Sequence, residues 1–382
     1  VSEEIDRRKP RYSLVRIAKW LIALIVAAGL VLAIRSAIEQ WNAESQKLRQ
    51  RISELSDQIE AETDQTTRGE LLQQRQNLRG SIPTLANLHW RRILLACLLY
   101  GIGLVPPGFV LAAAAGSLGQ RPTMSTAMAA QLLGHAGKYV PGKAMVIVLR
   151  AGGLSIDGVT IVTATISVFM ETLLMMAVGA AVAGVVICWL PVPTWMMGTA
   201  AFVAVAASVP TLPPILKRVA ARIAHRNPDS NIPPNSSLRF FVVGWAWSLS
   251  SWFFIGASFT VLVSAIPSPL TLPAAAELFA VSTAAIALAM VVGFASLLPG
   301  GAGVRELVLT TLLAPAVGTA HALLAAIAAR LMFIVVEGVC AGFSWLWLRK
   351  AARGNDHNQP SDYDKLDSAE ISGDDAPAWQ PE

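Results

Sequence analysis

Pro141-Gly142-Lys143-Ala144-Met145-Val146 returns 158 residues later as Pro299-Gly300-Gly301-Ala302-Gly303-Val304, with four of the six positions identical. Each copy interrupts a long apolar stretch and precedes another that carries an ionisable residue near its middle: Glu171 after the first, Arg330 after the second, at an offset of 159. Proline removes a backbone N–H and glycine loosens the chain, so each copy exposes backbone polar groups. Inside a hydrocarbon layer such groups are tolerated only where protein buries them or water reaches them. A helix that restarts after Pro-Gly also points unpaired N–H groups at the break, a setting that favours anions such as a phosphate.

Working outward, the apolar blocks around both copies are long and lack a polar stripe. Hydrophobic residues make up 54% of the 382 residues and charged residues 14%, against about 25% charged in a soluble domain. Blocks of about 18 or more such residues read as membrane spans. The spans are expected near 91–115, 124–149 (interrupted), 159–188, 194–214, 240–265, 274–298 (running into the second break) and 320–348. An N-terminal basic segment with Arg7, Arg8, Lys9, Arg11, Arg16 and Lys19 precedes the apolar run Trp20–Ile34. Residues 1–35 thus read as an uncleaved anchor with a cytoplasmic N-terminus. The formal charge of +5 belongs to residues beside apolar blocks, which orient a membrane protein and exclude a nucleic-acid partner. Cys97, Cys188 and Cys340 each lie within an apolar block and read as buried hydrophobes.

Residues 36–90 form the polar stretch between the anchor and the next span. Trp41, Leu48 and Leu55 repeat every seven residues, as do Ile52 and Ile59, giving a short heptad seam. Thr67-Arg-Gly-Glu70 has capping-box spacing and predicts the start of a second helix carrying Leu71, Leu72 and Leu78. The expectation is an extracytoplasmic helical hairpin or coiled coil, with residues 38–80 offering a surface for a protein partner or self-association.

Charge placement sets the topology. Lys217, Arg218, Arg222, Arg226 and Arg239 put the loop 217–239 in the cytoplasm, and Arg349, Lys350 and Arg353 put the C-terminus there. The residues from 350 on read as a disordered acidic tail. With these anchors the first Pro-Gly unit is entered from inside and the second from outside. The domain 91–349 then divides into repeat 1 (91–188), a linker helix (194–214) and repeat 2 (240–348) of opposite orientation. Inverted repeats with broken helices at mid-membrane are a recurrent transporter build. The fold class is therefore all-α: a polytopic membrane helix bundle with inverted repeats and re-entrant Pro-Gly hairpins, plus the extramembrane hairpin.

Charges inside spans are the functional candidates, because each unpaired one costs roughly 2.5–3.5 kcal/mol on insertion scales. Glu171 and Arg330 occupy equivalent places in the two units, so they are expected to face each other across a central cavity. Glu337, seven residues after Arg330, is a second candidate partner. Lys138, Lys143 and Arg150 flank the first break, with Pro141 and Gly142 forming it. Arg305 and Glu306 flank the second, formed by Pro299 and Gly300. Lys143 and Arg150 share a helical face and read as a basic mouth for phosphate, or as snorkelling interface residues. Gln131 and His135 sit on the approach helix. Gly137 to Ala144 nearly matches a phosphate-binding loop of nucleotide enzymes, yet Ala144 replaces the required hydroxyl and no strand precedes it.

At these residues the chain resembles the lysylphosphatidylglycerol synthase transmembrane-region family, the flippase-like membrane proteins. The likeness rests on Gly-Lys-Tyr-Val-Pro-Gly-Lys (137–143), Arg150, Gly158-Val159, Glu171, Leu-Pro-Gly-Gly-Ala-Gly-Val-Arg-Glu (298–306) and Arg330, and covers about residues 90–348. It implies the presentation or translocation of a lipid. Lys143-Ala144 stand where many members carry Gly-Glu. No aminoacyl-transferase half, hydrolase triad or paired-carboxylate site is visible, so no enzyme, cofactor or metal is expected. The expected function is binding and translocating an anionic phospholipid or glycolipid at the cell membrane. The competing classes are an ion- or proton-coupled small-solute transporter and a membrane scaffold without transport.

Overall fold

The computed structural model describes residues 45–81, 87–139, 144–189, 194–216, 236–267, 272–296 and 303–358, with a few single positions elsewhere. The N-terminal anchor, Pro141, Gly142, Lys143, Pro299, Gly300, most of the loop 217–235 and the tail beyond Asn358 lie outside the described residues. Among the described residues the chain is all-helical. Five helices are long and apolar enough to cross a membrane: Trp90–Ser117, Ile161–Ile187, Ser237–Ala265, Ala275–Ala295 and Thr319–Arg353. The chain is a multi-pass membrane protein.

Outside the bundle, helix α1 (residues 45–61) buries Leu48, Ile52, Leu55 and Ile59, the seam read from the heptads. Helix α2 (Gln65–Ser81) follows. Its cap is Asp64, whose Oδ2 accepts from the Thr67 backbone N–H (3.1 Å) and from the Thr67 hydroxyl (2.7 Å). The helix therefore starts earlier than the capping-box reading at Thr67 places it, because an aspartate satisfies the free N–H groups better than the threonine. Leu48, Arg51 and Leu78 line a cleft of roughly 250 Å³ together with Pro267, Val317 and His321 of the bundle.

The bundle begins with α3 (Trp90–Gly103) and α4 (Pro106–Ser117). The span expected at 91–115 is present as Trp90–Ser117 and is interrupted only at Leu104–Val105, because Pro106 and Pro107 lack the N–H groups that would continue α3 without a break. Helices α5 (Met124–Gly134) and α6 (Ala144–Leu154) pack on each other, joined in part by the 3₁₀ turn His135–Tyr139. Helix α7 (Ile161–Ile187) is a full span. Helix α8 (Thr194–Ser208) has 15 residues and continues into a 3₁₀ turn at Val209–Thr211, within the span expected at 194–214; it is not among the five long helices. Then come α9 (Ser236–Ala265), α10 (Ala275–Ala295), α11 (Val304–Val317) and α12 (Thr319–Asn358). The last helix runs into the segment read as tail.

Small residues and hydroxyls hold the bundle, as expected where lipid supplies no hydrophobic drive between helices. Ser251 and Ser258 of α9 donate to the carbonyls of Gly103 (2.6 Å) and Ala96 (2.7 Å) on α3. The Trp252 indole N–H donates to Met175 O on α7 (3.0 Å), and a Cβ at Gly179 would collide with its ring. The outward faces are apolar at helical spacing: Leu94, Leu98 and Ile102 on α3, and Val335, Val339 and Phe343 on α12 are all exposed.

Candidate functional site

The first polar layer is built from the α5–α6 unit. Asp157, just after α6, accepts from the Thr123 N–H (2.7 Å), the Thr123 hydroxyl (2.8 Å) and the Thr126 hydroxyl (3.0 Å) at the start of α5. Gln120 Oε1 accepts from the Thr160 N–H (2.9 Å) at the start of α7. The two ends of residues 120–160 therefore meet. Within this frame a Cβ at Gly134 would lie 2.4 Å from Cγ and Nε of Arg150. Gly134 thus lets the Arg150 side chain lie flat against α5 on its way to α7. Arg150 Nη1 donates to Glu171 Oε2 (2.6 Å), Gln131 Nε2 donates to Glu171 Oε1 (3.0 Å), and the Thr172 hydroxyl donates to Glu171 Oε2 (3.1 Å). Arg150 is 4% exposed and Glu171 2%.

Two expectations are corrected here. Glu171 pairs with Arg150 and not across the bundle with Arg330, because α6 lies directly on α7 and satisfies the carboxylate first. Arg150 is buried in that pair, so it is no part of a basic mouth.

The second layer repeats the pattern with the charges exchanged. Gly303, at φ +81° in the left-handed region that favours glycine, starts α11. Glu306 Oε2 accepts the Gly303 N–H (2.7 Å), and Glu306 Oε1 accepts from Arg330 Nη1 (2.8 Å). Arg330 thus finds its carboxylate one element away, on α11. The neighbouring Arg305 lies along Gly293 of α10, where a Cβ would sit 2.6 Å from its Cγ. Among the described residues Arg305 has no hydrogen-bond or ion-pair partner, and its Nε is buried.

Glu337 forms the third cluster and is not the partner of Arg330. Its Oε1 accepts from the Tyr100 hydroxyl (2.5 Å) and Lys138 Nζ (2.8 Å), and its Oε2 from the Tyr139 hydroxyl (3.0 Å). His135 Nδ1 lies 3.8 Å away, and both ring nitrogens of His135 are buried without a hydrogen-bond partner. Tyr100 also stacks on Phe333 with centroids 4.2 Å apart. Glu337 is 2% exposed while the Lys138 side chain retains 26%, so this cluster is least enclosed on the lysine side. Arg305 lies within electrostatic reach of Tyr100, Lys138 and Tyr139. Sequence reasoning missed Tyr100 and Tyr139 as partners. Tyr139 was open to view beside Lys138 in the first Pro-Gly motif. Tyr100 carried no signal, since a tyrosine in an apolar span reads as core.

Chemically, the three clusters hold paired charge inside the bundle. Among the described residues no group of histidine, cysteine or carboxylate side chains is arranged to hold a metal ion. The near-match to a nucleotide loop at 137–144 falls on a 3₁₀ turn and a helix start.

Residues 74–336 match the family described as the lysylphosphatidylglycerol synthase TM region. The match spans more than half of the chain; it includes the Glu171 and Glu306–Arg330 clusters and ends at the residue before Glu337. No curated protein matches the chain.

Proposed function

The chain belongs to the lysylphosphatidylglycerol synthase TM-region family, and from that premise we propose that it binds the headgroup of an anionic phospholipid or glycolipid inside the bundle and helps it change leaflet. No covalent step is part of this function. Membership of a membrane, lipid-related family gives the coarse statement; the substrate and the movement are our reading. The observation that carries it is the Glu337 cluster. One carboxylate joins α3, the turn before the first Pro-Gly break and the last helix. Opening the bundle there breaks contacts that a polar headgroup can replace, and apolar tails can stay outside on the exposed faces of α3 and α12.

The α5–α6 and α10–α11 pairs are, in this reading, re-entrant hairpins of two inverted repeats. The meeting of residues 120–123 with 157–160 supports the first. The protein sits in the cell membrane with both termini in the cytoplasm, and residues 38–80 are free to meet a protein partner outside.

The test is lipid scrambling in vesicles reconstituted with the full chain and a fluorescent phosphatidylglycerol. Glu337→Gln, Glu171→Gln and Arg330→Ala should each lower the rate at least tenfold while the protein still inserts. Wild-type rates in all three would remove these residues from the mechanism. His135 beside Glu337 favours one second reading, a proton-coupled carrier of a water-soluble solute. Uptake of such a solute driven by a pH gradient would select it.

A further inference from the structure

The two polar layers share a device and differ in one charge. Gly134 receives Arg150 and Gly293 receives Arg305, each arginine lying where a Cβ would stand, and each with a buried Nε that has no partner. Gly134 and Gly293 are 159 residues apart, the same offset as Glu171 and Arg330. In the first layer the residue at this offset is a carboxylate, and Arg150 is neutralised. In the second layer the corresponding residue is Arg330, itself a cation, and Glu306 is taken by it. Arg305 is therefore the cation left over. Among the described residues of the three clusters, the cations Lys138, Arg150, Arg305 and Arg330 outnumber the carboxylates Glu171, Glu306 and Glu337 by one.

A guanidinium fixed along its stem and left without a carboxylate partner among the described residues suits an oxyanion that accepts several N–H bonds at once. We infer that Arg305, laid into the Gly293 cradle, is the seat of a phosphate group, and that the charge balance around it selects a singly charged phosphodiester headgroup. The inference rests on the lipid-handling reading and sharpens it to a residue and a substrate class. Arg305 is then a binding residue, and Gly293 positions it.

The test uses the full chain in detergent micelles, with thermal unfolding and lipid titration as readouts. The probes are phosphatidylglycerol, a neutral diacylglycerol glycoside and inorganic phosphate. Wild type should be stabilised by phosphatidylglycerol and not by the neutral glycolipid. Arg305→Gln should weaken phosphatidylglycerol binding at least tenfold. It should also leave the lipid-free unfolding midpoint unchanged or raise it, since a half-buried charge without a carboxylate partner is removed. Gly293→Ala should give the same loss of lipid response by displacing the guanidinium, and Arg305→Lys should restore part of it. Protection by inorganic phosphate alone would assign the seat to a soluble anion and overturn the lipid assignment. A lower lipid-free midpoint with undiminished lipid response would mark a structural arginine and overturn the inference. If wild type responds to phosphatidylglycerol and Arg305→Gln responds equally, this inference alone fails. If wild type responds to neither lipid, the anionic-lipid reading fails with it.

Discussion

Glu171 and Glu337 are both 2% exposed, and the two carboxylates are satisfied in opposite ways. Glu171 takes its donors from residues 131, 150 and 172, all within or next to the α5–α7 unit. Glu337 takes its donors from α3 and from the turn after α5, far from it in sequence. The first is a lock within one unit; the second is a tie between units. Their counter-charges differ as well. Glu171 faces the guanidinium of Arg150, and Glu337 the ammonium of Lys138. The lesson is that equal burial does not mean equal role: loss of the lock should cost more stability than loss of the tie.

The strongest way to break this contrast is at Glu171. Glu171→Ala strands a buried guanidinium, and the expected loss is about 3–5 kcal/mol, measured by unfolding in micelles. The double change Arg150→Met with Glu171→Leu should recover most of that loss; if it does not, the pair is more than a lock. Next is Glu337→Gln, which keeps an oxygen acceptor for the donors of the cluster. Its stability loss should be smaller, about 1–3 kcal/mol, while lipid scrambling falls at least tenfold. Equal stability losses at the two glutamates would erase the distinction.

A finer cut is Asp157→Ala, which removes the acceptor that holds Thr123, the cap of α5, and loosens only the unit holding Glu171. The expected cost is about 0.5–2 kcal/mol, with hydrogen exchange rising in residues 124–134 and unchanged around Glu337. The smallest effect lies outside the bundle and serves as its exposed counterpart. The Thr67 hydroxyl and N–H hold the Asp64 carboxyl below its usual value. A depressed carboxylate stabilises above its unfolded pKa of about 3.9, and that contribution is lost as pH falls through the folded value. Helicity of residues 65–81 should therefore decline slightly in that acid window. Asp64→Ala should lack this step.

The fold was legible where physics acts locally. Long apolar blocks and the heptads at Leu48, Ile52, Leu55 and Ile59 each point to one kind of element; the two Pro-Gly segments lie outside the described residues. Pairing was less legible, because it depends on which helix lies against which. Glu171 and Arg330 are equivalent in sequence, and equivalence suggested contact. Each instead found a partner on the preceding helix, Arg150 and Glu306, at a separation of 21 and 24 residues. Pro106 and Pro107 were in plain view as a break in the first span, hidden only by the hydrophobicity around them. The Glu337 cluster depends on three elements that sequence order does not bring together.

The 40 residues of α12 form one uninterrupted helix, about 60 Å long at 1.5 Å per residue, twice the roughly 30 Å thickness of a hydrocarbon core. Glu337 is fastened near its midpoint, which makes that glutamate a fulcrum. About 30 Å of rigid rod extends beyond it to Asn358. A pivot of about 10° at the fulcrum swings the far tip by about 5 Å. Whatever loosens the tie in mid-membrane is thereby reported, amplified, at the water's edge.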